Sequence, residues 1–150
     1  MSTVLDAIES HGTPEKFLQV TKRLVGAQSD VRWCYNLSSS KYFPFRYYAS
    51  AVRGAGPDAD EVLVISIECF DSHDEKRELL IISADITGED GVLLAESPKI
   101  EIGVPPESAV QRDPDGIIAR VKEQIESATE VIVHWIDSQR ATIERALAPA

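Results

Sequence analysis

At 150 residues, with 43% apolar and 27% charged side chains, the chain is long enough to bury one core, and its composition is that of a folded domain. A formal net charge of -10 repels phosphate backbones and argues against direct binding of DNA or RNA. No apolar run approaches the roughly 20 residues that span a bilayer. The start, MSTVLDAIESHG, has Asp6 and Glu9 where a secretory leader needs basic and then apolar residues, so the expected location is the cytoplasm.

Two short helices are predicted first. Over residues 3–11, Val4, Leu5 and Ile8 fall at helical spacing, with Gly12 as the stop. Thr13-Pro14-Glu15 then supplies a cap, a proline at the first helical position and an acid in the first turn. Phe17, Leu18, Val20, Leu24 and Val25 form the apolar face of this second helix, and Gly26 ends it.

Residues 31–102 read as strands. Val31, Trp33, Tyr35 and Leu37 alternate with Arg32, Cys34 and Asn36, the period of a half-buried strand. After a polar turn at Ser38-Ser39-Ser40-Lys41, the odd positions of 42–53 are the more apolar: Phe43, Phe45, Tyr47, Ala49 and Ala51. These should point inward, and Pro44 argues that the strand begins at an edge or just after it. A loop at Gly54-Ala55-Gly56-Pro57-Asp58 follows, then Leu63, Ile65, Ile67 and Cys69 facing one way with Val64, Ser66 and Glu68 opposite. Asp71 to Arg77 reads as a charged connection. Glu78 to Ile86 is the next strand, and the two glycines of Thr87-Gly88-Glu89-Asp90-Gly91 suit a hairpin loop with positive φ. In the return strand, Val92 to Ile102, Glu96 shares the parity of Ile100 and Ile102. A bulge near Pro98 is the favoured way to turn it outward.

Val104-Pro105-Pro106 and a polar turn end the strand region, and Asp113-Pro114-Asp115 repeats the helix-start signal. Ile118, Val121, Ile125, Ala128, Ile132 and Trp135 then recur at steps of three and four, widened by Ile136 and Ile143. A helix over 114–147 would measure about 50 Å at 1.5 Å per residue. It must overhang, kink near Thr129 or pair with another chain; packing along the sheet is the first choice and a homodimer through this helix the second. The fold class is therefore α+β in a single domain, 1–150. It comprises two short N-terminal helices, an antiparallel meander of four to five strands, and a long C-terminal helix on one sheet face.

Chemistry-bearing motifs are few. The phosphate-loop, dinucleotide, zinc-protease and serine-hydrolase patterns do not occur, and no cofactor or catalytic residue is assigned. Cys34 and Cys69 match no paired-cysteine spacing and are expected to be buried, reduced thiols. Asp71-x-His73-Asp74 gathers oxygen and nitrogen ligands, but on a solvated turn, so no metal is assigned. His134 is expected to be partly buried and hydrogen-bonded beside the apolar stripe.

The positive signal is aromatic and basic. Trp33, Tyr35, Tyr42, Phe43, Phe45, Tyr47 and Tyr48 are seven of the chain's ten aromatics and lie in one stretch. If odd positions go inward, Tyr42, Arg46 and Tyr48 stand on the other face with Arg32 and Arg53 nearby, a surface suited to docking a partner. The competing interpretation pairs Arg46 and Arg53 with acids of a neighbouring strand, or covers the face with the long helix. Charge is unevenly spread: residues 1–60 hold seven Lys/Arg against six Asp/Glu, and residues 61–150 eight against nineteen. The expected function is a non-enzymatic module that binds another protein, with basic partners favoured, as chaperone, inhibitor or immunity factor. The alternatives are a carrier with an apolar cavity lined by Phe43, Phe45, Tyr47 and Trp135, or an enzyme with a dispersed site.

Overall fold

The computed structural model describes residues 13–25, 31–38, 45–54, 57, 59–74, 77–105 and 107–148. Helix α1 (Thr13–Val25) precedes strands β1 (Val31–Ser38), β2 (Phe45–Arg53), β3 (Asp60–Asp74) and β4 (Arg77–Gly88). A short 3-10 turn at Glu89–Gly91 leads to β5 (Leu93–Glu96) and β6 (Ile100–Val104). Helices α2 (Glu107–Arg112), α3 (Pro114–Ser138) and α4 (Arg140–Leu147) follow. All strand pairs are antiparallel, in the order β1-β2-β3-β4-β5, with β6 beside β5 along the same edge of β4. The α+β meander is as expected, its fifth position shared by two short strands. The described chain has one N-terminal helix; the helix expected over 3–11 lies outside the described residues.

Register makes the core. Directly opposed residues share a sheet face, and the ladder sets Phe45, Cys69 and Ile82 in one row and Ala49, Ile65 and Ile86 in another. All six are buried, on the odd positions of β2 and β3 and the even ones of β4. Phe17 and Val20 of α1, Val121, Ile125 and Ile132 of α3, and Ile143 and Leu147 of α4 join the same cluster. Lys16 and Glu130, 3.1 Å apart, bridge α1 to α3 at the surface. Among the described residues, no helix is long and apolar enough to cross a membrane.

The long helix starts as the sequence indicates. The Asp113 carboxylate accepts from the Gly116 N–H at 3.2 Å, and proline occupies the first turn. It does not kink at Thr129, which is buried mid-helix; it breaks at Gln139. The Ser138 hydroxyl donates to the Trp135 carbonyl at 2.5 Å, the acceptor Gln139 would otherwise use. The Gln139 N–H turns to Ile136 instead, at 3.0 Å. The stripe also rotates by one position at its start: Ile117 is buried where Ile118 was expected, and Trp135 is only half-buried.

Other boundaries move for local reasons. The segment expected to be a charged connection from Asp71 is mostly strand, with Asp71 opposite Leu80, His73 opposite Glu78 and Asp74 opposite Arg77. The polar turn before Asp113 contains the one-and-a-half-turn helix α2. In the β4–β5 loop, Gly91 takes φ 72° but Gly88 stays at -95°; Asp90, at 59°, supplies the other left-handed position. Aspartate is one of the few side chains that tolerate it.

Between β5 and β6 the bulge is present. Ser97 faces Ala84, while Ile100 already faces Ile82, so two residues of β4 oppose three of the edge. Parity flips there, which leaves Glu96 exposed while Ile102 is buried. Ile125 is fully buried between α3 and the sheet, so Ile125→Ala is expected to cost about 2–5 kcal/mol in urea unfolding.

Candidate functional site

Among the described residues, helices cover one face of the sheet. Every buried helical side chain described belongs to the single cluster on the Phe45–Ile65–Ile86 side. The other face carries the even positions of β1 and β2, those of β3 from Val64 onward, and the odd positions of β4, and among the described residues no helix packs on it. Its side chains are mostly half-exposed.

The register lays this open face out in rows. One row runs Asn36–Tyr48–Ser66–Asp85–Glu96, and the next runs Ser38–Arg46–Glu68–Ser83. Within them, the Arg46 Nε lies 3.5 Å from a Glu68 carboxylate oxygen, and its guanidinium stands over the Tyr48 ring, 5.1 Å from the centroid. The Ser66 hydroxyl donates to the Asp85 carboxylate at 2.6 Å. Arg46 thus joins the Tyr48 ring and the Glu68 carboxylate, and the Ser66–Asp85 pair occupies the row of Tyr48 beside them. Arg46 and Glu68 are too exposed for their ion pair to add much stability.

Of the five residues singled out in the sequence, the structure brings two together. Arg46 and Tyr48 share the open face as the alternation requires. Arg32 is on the same face but opposite Val52, six residues along β1 from the partner of Arg46, about 20 Å away at 3.3 Å per residue. Arg53 pairs with Val31 on the helix side. Its guanidinium donates to the backbone carbonyl of Leu147, satisfying an acceptor that the end of α4 leaves open. Tyr42 lies outside the described residues. Glu68, Ser66 and Asp85 were missed as members of the cluster; their outward parity was legible, but which strand residue they oppose was not.

Of the aromatic residues assigned to the interior, Phe45 and Tyr47 are buried there. The Phe45 and Tyr47 rings stack at 5.2 Å, and Phe17 approaches Tyr47 at 6.3 Å. Trp33, Tyr35 and Trp135 pack against the cluster, and the Tyr35 hydroxyl meets the Thr21 hydroxyl at 3.0 Å. The carrier-cavity residues Phe45 and Tyr47 are therefore packed on each other, and Phe43 lies outside the described residues. Open volume is found elsewhere: a groove of about 570 Å³ runs between β6 and α3.

Nucleophile candidates are separated by the sheet. Cys69 is buried, but Cys34 is exposed on the open face, contrary to the expectation of two buried thiols. They stand on opposite faces of the sheet, and both are free. Burial pushes the Cys69 thiol up to about 12, reinforced by Asp71 and Glu68. Burial likewise raises Tyr47 to about 12, with Glu15 and Cys69 adding to it. Both stay protonated at neutral pH. His134, expected to be partly buried, is exposed on α3, on the helical side of the sheet. Among the described residues, no three His, Cys, Asp or Glu side chains gather as a metal site.

Comparison with known proteins finds no matching family model, no similar curated protein and no similar solved structure.

In native buffer a thiol reagent should modify Cys34 within minutes and Cys69 only on unfolding; two fast thiols would contradict the placement. Raised folded-state pKa values mean the native protein holds protons that the unfolded chain releases. Stability from Cys69 and Tyr47 is thus full below about pH 9 and is lost as pH rises towards 12. Urea midpoints should show no loss from these two groups up to about pH 9 and should fall above it, with a shallower fall in Cys69→Ala.

Proposed function

We propose that this chain is a non-enzymatic protein-interaction module that receives another protein on the open face of its sheet. One observation supports this above the others: among the described residues no helix covers this face, its side chains are mostly half-exposed, and the central ones already contact one another. Arg46 contacts Glu68 at 3.5 Å and the Tyr48 ring at 5.1 Å, and Ser66 bonds Asp85 at 2.6 Å in the adjacent row, so part of the side-chain ordering precedes docking. Tyrosine and arginine are also the side chains that most often dominate interface energetics.

Charge favours a basic partner. On the open face, Arg32 and Arg46 are outnumbered by Glu68, Asp85, Glu96 and Glu101. Residues 61–150, which supply those carboxylates, carry a net -11 from eight Lys/Arg and nineteen Asp/Glu. Such a field accelerates encounter with a cationic surface and repels acidic competitors. A small acidic domain acting in this way serves as a chaperone, inhibitor or immunity factor towards the protein it holds. Nucleophilic catalysis at Cys69 is disfavoured by its chemistry, because that thiol is buried and stays protonated at neutral pH.

The double substitution Arg46→Thr with Tyr48→Thr keeps strand propensity while removing the cation and the ring. Immobilised protein should retain at least one basic protein that the double variant loses roughly tenfold or more, with a melting temperature within about 5 °C of the parent. Retention unchanged by the substitutions would reject the open face as the docking surface.

A further inference from the structure

We propose that the free edge of the sheet at β6 pairs with the same edge of a second copy, about a two-fold axis through Ile102. Among the described residues, no strand lies beyond β6. The direction of its backbone groups follows from the neighbouring ladder. The Ser97 N–H donates to the Ala84 carbonyl at 2.9 Å, and the Ala84 N–H donates to the Ser97 hydroxyl at 2.8 Å. The even residues of β4 therefore turn their backbone towards this edge, which makes Ile82–Ile100 and Leu80–Ile102 the hydrogen-bonded pairs. Glu101 and Gly103 must then direct their N–H and C=O groups away from β4, to the open side.

That pattern is self-complementary in one register. An axis on Ile102 sets Glu101 opposite the partner's Gly103, and each such couple can exchange both of its backbone hydrogen bonds. An axis one residue earlier would bring two Glu101 carboxylates face to face. An axis one residue later would oppose Glu101 to the partner's Pro105, which has no N–H to give. An axis between residues would join the apolar face of one sheet to the polar face of the other. The flanks confine pairing to this short strand, since Pro98, Lys99 and Pro105 are all poor edge partners. Isologous pairing also closes on itself, so the edge is used up rather than extended.

Five residues of strand bury too little for a stable dimer, which needs about 800 Å² from each copy. The groove beside β6 supplies the rest. Its α3 wall presents Arg120, Gln124, Ser127 and Val131 in a row at steps of four and three, with Val131 58% exposed. The two-fold axis brings a second α3 alongside in antiparallel sense, the orientation that helix dipoles favour. The strand leads this contact and the helix seconds it.

A charge swap at position 103 tests the register. A Cβ built on Gly103 meets no atom within 4 Å, so a side chain fits there without disturbing the monomer. Sedimentation velocity of the full chain from about 1 to 100 µM should show the parent as a dimer at the upper end, a range that covers micromolar affinity. Gly103→Glu sets a carboxylate against the partner's Glu101 on both sides of the axis and should raise Kd roughly tenfold or more. Gly103→Lys makes the same steric change with opposite charge and should keep Kd at or below the parental value. A parent that remains monomeric at 100 µM overturns the proposal, and so do Lys and Glu variants with equal Kd. Either result leaves docking at Arg46 and Tyr48 to its own test, because β3 and β4 separate these residues from the β6 edge.

Discussion

Everything in this molecule depends on one geometric constraint: a β-ladder keeps directly opposed residues on the same face. Once Phe45 meets Cys69 and Cys69 meets Ile82, the apolar positions of separate strands are welded into a single surface. That surface must be covered, and α1, α3 and α4 cover it with Phe17, Val121, Ile125, Ile132, Ile143 and Leu147. The same parity sends Arg46, Tyr48, Glu68 and Asp85 to the other side together. Core and candidate docking surface are therefore two outcomes of one register, and neither can shift by a residue without the other.

Elements with a strong period were legible from the residues alone. The alternation in β1, β2 and β3, the Asp113-Pro114-Asp115 helix start and the bulge before Ile100 are all local patterns, and each appears where the residues place it. What was not legible depends on partners distant in sequence. The β3 hairpin arm runs to Asp74 because β4 offers it a continuous ladder, although a polar run such as Asp71-Ser72-His73-Asp74 has no strand signature of its own. The helix break at Gln139 rests on the rotamer of Ser138 and on the space into which Ile143 must pack. Periodicity cannot report either.

The candidate site divides in the same way. That Arg46 and Tyr48 share an outward face follows from counting residues along one strand. That Glu68 neutralises Arg46 while Arg32 stands about 20 Å off requires the register of three strands. Arg53 is the clearest lesson: adjacent to the cluster in sequence, it lies on the other face of the sheet and spends its guanidinium on the carbonyl at the end of α4. A cluster of like residues in sequence can thus be dispersed by a period of two into a ligand for solvent, a ligand for a ring and a ligand for the backbone.

The bond from Arg53 to Leu147 joins residues 94 apart in sequence, and α4 packs on β3 across a comparable separation. The sheet is built from residues 31–104, whereas most of the side chains that seal its apolar face come from residues 117–147. On a ribosome adding about 5–20 residues per second, the strands emerge for several seconds with only α1 to cover that face. The nascent chain must hold a partly covered sheet until α3 and α4 arrive.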